Sequence, residues 1–231
     1  MPTLGRILEY FEQRNAPFEL IVVDDGSTDG TANAAAQVWG ARPNCRLLAL
    51  PHNRGKGAAI RRGVQEATGE VILFSDADLS TPIEEFEKLH SALAAGADIA
   101  IGSRALPTSQ VEIHQPWYRE RMGKTFNLLV RAILWLGIHD TQCGFKAFRR
   151  EPARRLTVLQ RVDGWAFDAE LLFLAKRLNY RVAEVPVRWR NDPGTKVGIV
   201  RSSWQMLWDI VKVRLRAMAC KYTPQHSENE R

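Results

Sequence analysis

Two aspartates one residue apart close an apolar run in EVILFSDADLSTP, residues Glu70–Pro82. A slight twist at the end of a strand lets Asp76 and Asp78 reach one divalent ion together, and oxygen-only ligands suit Mg²⁺ or Mn²⁺. Such an ion bridges the two phosphates of a nucleotide and neutralises a departing diphosphate. The same residues fit plainer roles. An Asp near Ser80 and Pro82 starts a helix well. A strand ending in D-x-D-x-T, with Ser80 where the Thr would stand, is a phosphatase pattern whose first Asp is the nucleophile. The pair alone does not separate a cap, a nucleophile and a metal clamp.

A second acidic pair narrows the choice. VVDDGSTDGT, Val22–Thr31, ends a strand in Asp24 and Asp25, then offers Gly26 for a tight turn and Ser27, Thr28 and Asp29 as cap candidates. Carboxylates beside free backbone N–H groups suit ribose hydroxyls or a base N–H, although a plain strand-to-helix turn reads the same way. NRGKGAAIRRG, Asn53–Gly63, sets Gly55 and Gly57 around Lys56 at a helix start, a loop able to face a phosphate. It is not G-x-x-x-x-G-K-[ST], which argues against a P-loop nucleotide hydrolase.

The elements that must carry these residues follow from periodicity. FELIVVDD, CRLLAL, EVILFSD and ADIAIGS read as strands, separated by helices over 30–39, 57–67 and 82–95. Strands alternating with helices imply right-handed crossovers and a mostly parallel α/β sheet, Rossmann-like in outline. Its ligand sites lie beyond the carboxyl ends of the strands. Residues 104–120 show no period and read as a long loop. A helix over 121–136, a short strand at GFKAFRR, a helix over 167–178 and the strand RVAEVPVRW follow. An amphipathic helix within 198–218 completes one domain, 1–222, and 223–231 reads as a disordered tail.

The 231 residues carry a formal charge of +6, and six Lys/Arg (Lys196, Arg201, Lys212, Arg214, Arg216, Lys221) stand against the single Asp209 near the C-terminus. That bias fits an anionic partner such as phosphate or an acidic membrane. Nucleic acid is disfavoured, because no aromatic-basic motif of a known module occurs. Cys45, Cys143 and Cys220 form no CxxC pair, which argues against a disulfide framework or a zinc site and fits a reducing compartment. No signal-peptide core and no run of about 18 apolar residues is found, so a soluble or peripheral protein is expected.

Taken in order, VVDDGSTDGT, NRGKGAAIRRGVQEATGEVILFSDADLSTP, IGSRA, FNLLVRAILWLGIHDTQCGFKAFRR, GWAFDAELLFLAKRLNYRVAEVPVRW and PGTKV resemble family 2 glycosyltransferases of the GT-A fold. The resemblance is greatest to dolichyl-phosphate β-glucosyltransferases, with dolichyl-phosphate mannose synthases as close relatives. It implies inverting transfer of glucose from UDP-glucose to a polyprenyl phosphate on the cytoplasmic side of a membrane. A GDP-mannose donor, or a catalytically impaired binding remnant, are the alternatives it leaves.

By the same resemblance Asp76 and Asp78 hold Mg²⁺ or Mn²⁺ and the donor diphosphate, and Asp24 and Asp25 contact the nucleoside. Two anionic ligands must be screened and aligned, so Arg104, Arg121 and Arg131 are the expected phosphate contacts. Lys196, in PGTKV, is expected to reach the donor phosphates from a loop that Gly194 allows to fold over the site. Gln142 is expected to face the sugar or metal, and Asp168 to face the site. The helix within 198–218 is expected to lie on an anionic membrane surface. Relatives carry a first strand with a P-A-Y-N-E-like motif that has no counterpart here, so a donor pocket lacking one wall is expected.

Overall fold

The alternation of apolar runs with amphipathic segments is realised in a computed structural model that describes residues 2–113, 116–191, 199–219 and 222. Helix α1 (Pro2–Gln13) leads into β1 (Leu20–Asp24), α2 (Thr31–Trp39), β2 (Cys45–Ala49), α3 (Lys56–Glu66) and β3 (Val71–Ser75). Next come α4 (Phe86–Ala94), β4 (Ile99–Ser103), β5 (Gln110–Ile113), α5 (Trp117–Leu134) and β6 (Phe145–Arg149). The chain continues through α6 (Arg150–Leu159), α7 (Phe167–Arg177), β7 (Val182–Pro186), β8 (Arg188–Arg190) and α8 (Ile199–Met218). The expected tail, 223–231, lies outside the described residues.

Pairing is mostly parallel, as the alternation requires: β1 with β2, β4 with β7, and β5 with β8. The exception is β6, which runs antiparallel between β3 and β4 and gives the four-stranded order β3-β6-β4-β7. Among the described residues, β1 pairs only with β2 and β3 only with β6. Their starts are tied by Glu19, whose Oε1 accepts the amides of Thr68 and Gly69 at 2.5 and 3.0 Å.

Residues alternating along the strands feed two apolar layers. Ile72, Phe74, Ile99, Ile101 and Phe148 pack with α3, α5, α6, α7 and α8. Ala100, Phe145, Ala147 and Val185 face the opposite way, toward α4 and α1.

Three local features differ from the sequence reading. Residues 104–120 are not all loop: β5 forms there because β8 supplies a partner far along the chain, and α5 begins at Trp117, four residues earlier than expected. REPARRLTVL is a helix, α6, with Ala153, Leu156 and Leu159 buried on one side; Pro152 sits in its first turn, where a missing N–H costs nothing.

The segment between α6 and α7 is pinned by Glu170, which is wholly buried. Its Oε2 accepts the amides of Arg161 and Val162 at 3.0 and 2.8 Å, and Tyr222 donates its hydroxyl to Oε1 at 2.6 Å. Replacing Glu170 with Ala leaves both amides without their acceptor. It is expected to lower the unfolding free energy by about 3 kcal/mol, read as a lower denaturant midpoint at unchanged slope.

Candidate active site

Strand β3 ends under a tight turn. The Leu79 amide donates to the Asp76 carbonyl at 3.1 Å, and the Ser80 amide donates to Asp78 Oδ1 at 2.9 Å. Leu79 takes a left-handed φ of 48°, which costs a leucine about 1 kcal/mol or more. Burial of its side chain beside Ile83 and Leu89 holds the turn. Asp78 is left exposed and Asp76 half-buried beside it.

Asp76 rests on the loop that precedes β6. Its amide donates to the Gly144 carbonyl at 3.0 Å, and its carboxylate lies over the Gly144 Cα so closely that a Cβ there would fall 2.0 Å from Oδ2. The loop is fastened on both sides. Thr141 donates its hydroxyl to Asn127 Oδ1 at 2.8 Å, and Asn127 donates its side-chain amide to the His139 carbonyl. Cys143 is buried against Thr81, and burial pushes its thiol up to about 11, so it packs and does not react.

Two lysines meet the acids. Lys56, first residue of α3, forms an ion pair with Asp76 Oδ1 and lies over the rings of Trp165 and Phe167. Burial opposes its charge, but Asp168, Asp76 and Asp78 outweigh that and hold its ammonium above the ordinary lysine value. Lys146, on β6, has 0% exposure and donates to Asp168 Oδ1 and to the Cys143 carbonyl, each at 2.6 Å. Asp168, in the first turn of α7, is therefore beneath the acidic pair, not open to solvent.

The remaining expected residues divide. Asp25 uses both oxygens to hold the next loop, accepting the Arg54 and Gly55 amides at 2.8 Å each. Asp24 accepts the Ser27 amide across the turn at Gly26, whose φ is 73° and whose Cβ, if present, would strike the His52 backbone. Gln142 lies two residues from Gly144, on the loop that carries Asp76, with its amide donating to Asp140.

Arg104 is not an open phosphate grip. Its Nε and Nη2 bind Asp140 at 2.7 and 2.9 Å in a bidentate pair. Burial would raise the Asp140 carboxyl, yet Arg104 overrides it and holds the group at about 2. Arg121 is exposed beside Trp117, and Arg131 lies ten residues further along α5, about 15 Å on at 1.5 Å per residue. The two therefore address different points. Lys196 lies outside the described residues.

Among the described residues, no cluster of three or more His, Cys, Asp or Glu side chains is arranged to hold a metal. Two carboxylates fit the habit of Mg²⁺, which takes one or two protein oxygens and completes its shell with substrate phosphates and water. The Lys56 ammonium on Asp76 marks the same point as one that stabilises a cation.

Residues 2–157 match the family model described as Glycosyl transferase family 2. The chain belongs to glycosyl transferase family 2. It is 39% identical over 206 residues to a dolichyl-phosphate beta-glucosyltransferase of Dictyostelium discoideum, covering 86% of this chain and 63% of that protein. It is likewise 39% identical over 227 residues to the Homo sapiens protein of that name, covering 92% and 70%. The chain thus spans less than two thirds of the Dictyostelium relative's length.

Solved structures share the GT-A fold. Glucosyl-3-phosphoglycerate synthase from Mycobacterium tuberculosis in complex with uridine-diphosphate superposes with a TM-score of 0.68 at 22% identity, over 92% of this chain and 75% of that one. Mannosyl-3-phosphoglycerate synthase from Rubrobacter xylanophilus gives 0.66 at 18% identity, over 100% and 74%.

Within this family 2 fold, sequence reasoning passed over Lys146, Asn127 and Gly144. Lys146 left one signal: a lysine inside an otherwise apolar strand, FKAF, at a position that alternation sends inward. Gly144→Ala is expected to push Asp76 off its seat. UDP binding in the presence of Mn²⁺, measured by calorimetry, should weaken at least tenfold while the far-UV circular dichroism spectrum stays unchanged.

Proposed function

We propose that this chain carries the catalytic domain of an inverting glucosyltransferase that moves glucose from UDP-glucose to a polyprenyl phosphate. The observation that carries the reading is the acidic pair Asp76–Asp78 at the end of β3 with Lys56 against it, in a chain whose relatives are named dolichyl-phosphate beta-glucosyltransferases. UDP-glucose is an α-glycoside, so a β product calls for one in-line displacement. The acceptor phosphate oxygen bonds to C1 as the C1–O bond to UDP breaks, and UDP departs with the electron pair.

That oxygen is already anionic near neutral pH, so the site's main tasks are to orient and to neutralise. Mg²⁺ or Mn²⁺ bound at Asp76 and Asp78 supplies charge neutralisation for the leaving diphosphate. The ion pair of Lys56 with Asp76 supports reading it as a second neutralising charge there. Asp24 and Asp25, which hold the turn and the next loop, are read as the nucleoside contacts, and Gln142, on the loop that carries Gly144, as a contact of the sugar or metal. Arg121, Arg131 and Lys196 remain the basic residues proposed to meet the acceptor and donor phosphates.

The acceptor brings a membrane into the reading. No helix among the described residues is long and apolar enough to cross one, but α8 presents an exposed stripe of Trp204, Trp208, Leu215 and Met218, opposite the buried Ile210, Val213 and Ala217. Trp204 and Trp208 are 71% and 59% exposed, and Trp135, at the end of α5, is 69% exposed beneath Arg214. Tryptophan rimmed by Lys212, Arg214 and Arg216 is the composition of a surface that rests in a headgroup layer and favours anionic lipid.

Two measurements check the reading. UDP release from UDP-glucose is expected to require both a divalent ion and added polyprenyl phosphate, and to vanish in Asp78→Ala; release that ignores the metal overturns the donor site. The Trp204→Ala/Trp208→Ala double variant is expected to bind phosphatidylserine vesicles at least tenfold more weakly, with UDP affinity unchanged.

A further inference from the structure

Lys146 is the side chain whose place the reaction leaves unexplained. Its ammonium is wholly withdrawn from water, a transfer that costs several kcal/mol before any partner repays it. A well-packed apolar pair of similar volume is often as stable as a buried ion pair, so stability alone does not account for a lysine here.

Its contacts account for it better. One hydrogen bond goes to Asp168 Oδ1 and one to the Cys143 carbonyl, each at 2.6 Å, and the ammonium lies 5.4 Å from the centre of the Phe74 ring. The Cys143–Gly144 peptide ends at the Gly144 Cα over which the Asp76 carboxylate lies, and the next peptide carries the Gly144 carbonyl that accepts the Asp76 amide. Lys146 and Asp76 thus hold adjoining peptides that share the Gly144 Cα, and a shift of one displaces the seat of the other.

We propose that Lys146 is a positioning residue for Asp76: with Asp168 as its anchor, it fixes the Cys143–Gly144 peptide and so the place of one carboxylate of the acidic pair. The inference rests on the reading of Asp76 and Asp78 as ligands of a divalent ion. A purely electrostatic role makes the opposite forecast, since removing a buried cation from beside two carboxylates tightens the hold on a metal.

The test is a Mn²⁺ titration followed by electron paramagnetic resonance, with and without UDP, alongside thermal melts. It compares wild type, Lys146→Met, Asp168→Asn and the double variant Lys146→Met/Asp168→Asn. The double variant replaces the pair by neutral groups of similar size and is expected to melt close to wild type while binding Mn²⁺ with UDP at least tenfold more weakly. Asp168→Asn alone, which keeps the bond from Lys146 to the Cys143 carbonyl, is expected to lose less. Wild-type affinity in the double variant overturns the proposal, and so does tighter binding in Lys146→Met. If both variants lacking Lys146 fail to fold, the pair is a stability element and the positioning role is rejected. Wild-type protein that binds no Mn²⁺ overturns the donor-site reading, and the proposal falls with it.

Discussion

Asp76, Asp78 and Asp168 converge on one corner of the molecule and repel one another. Two like charges 4 Å apart at an effective dielectric constant of 20 repel by about 4 kcal/mol, too much for a marginally stable fold to leave unanswered. Lys56 and Lys146 supply the answer from opposite sides. Lys56 does so from the first position of α3, where the helix dipole disfavours a cation by a few tenths of a kcal/mol to about 1. Its ion pair with Asp76 outweighs that cost, so the local rule is broken where the acids require it.

The sheet order turns that local balance into a site. Because β6 runs antiparallel between β3 and β4, the loop entering it arrives where β3 ends, and Gly144 is delivered under Asp76. From the other layer α7 brings Asp168 up beneath the same point. Further out, Glu184 accepts the amides of His139 and Asp140 and the hydroxyl of Ser103, and Arg104 clamps Asp140. The carboxylates of Glu184 and the buried Asp140 thus fasten the loop to β4 and β7.

Much of this was legible in the residues, and what was not has physical reasons. β1, β3 and β4 announced themselves by β-branched runs, β2 by an apolar one, and Asp76 and Asp78 by spacing. β5 did not, because a four-residue strand is stabilised by its partner β8 and not by its own pattern. The antiparallel sense of β6 was hidden for the same reason: a strand's direction belongs to its neighbours. Arg104 was expected at a phosphate on grounds of charge, and only the fold reveals that Asp140 already holds its fork. Nothing in DADLS shows that Leu79 turns left-handed, since burial of the side chain enforces that angle.

Strand β3 finds its partner β6 only across the long stretch between Val71 and Arg149, which face each other in register, and Asp168 comes later still. Pairings that close such long loops are slow to form. A nascent chain therefore carries its acidic pair unsupported while the residues from Leu79 to Asp168 are being made. Incomplete chains that stop before Gly144 and Lys146 have the acids in place and no seat to hold them.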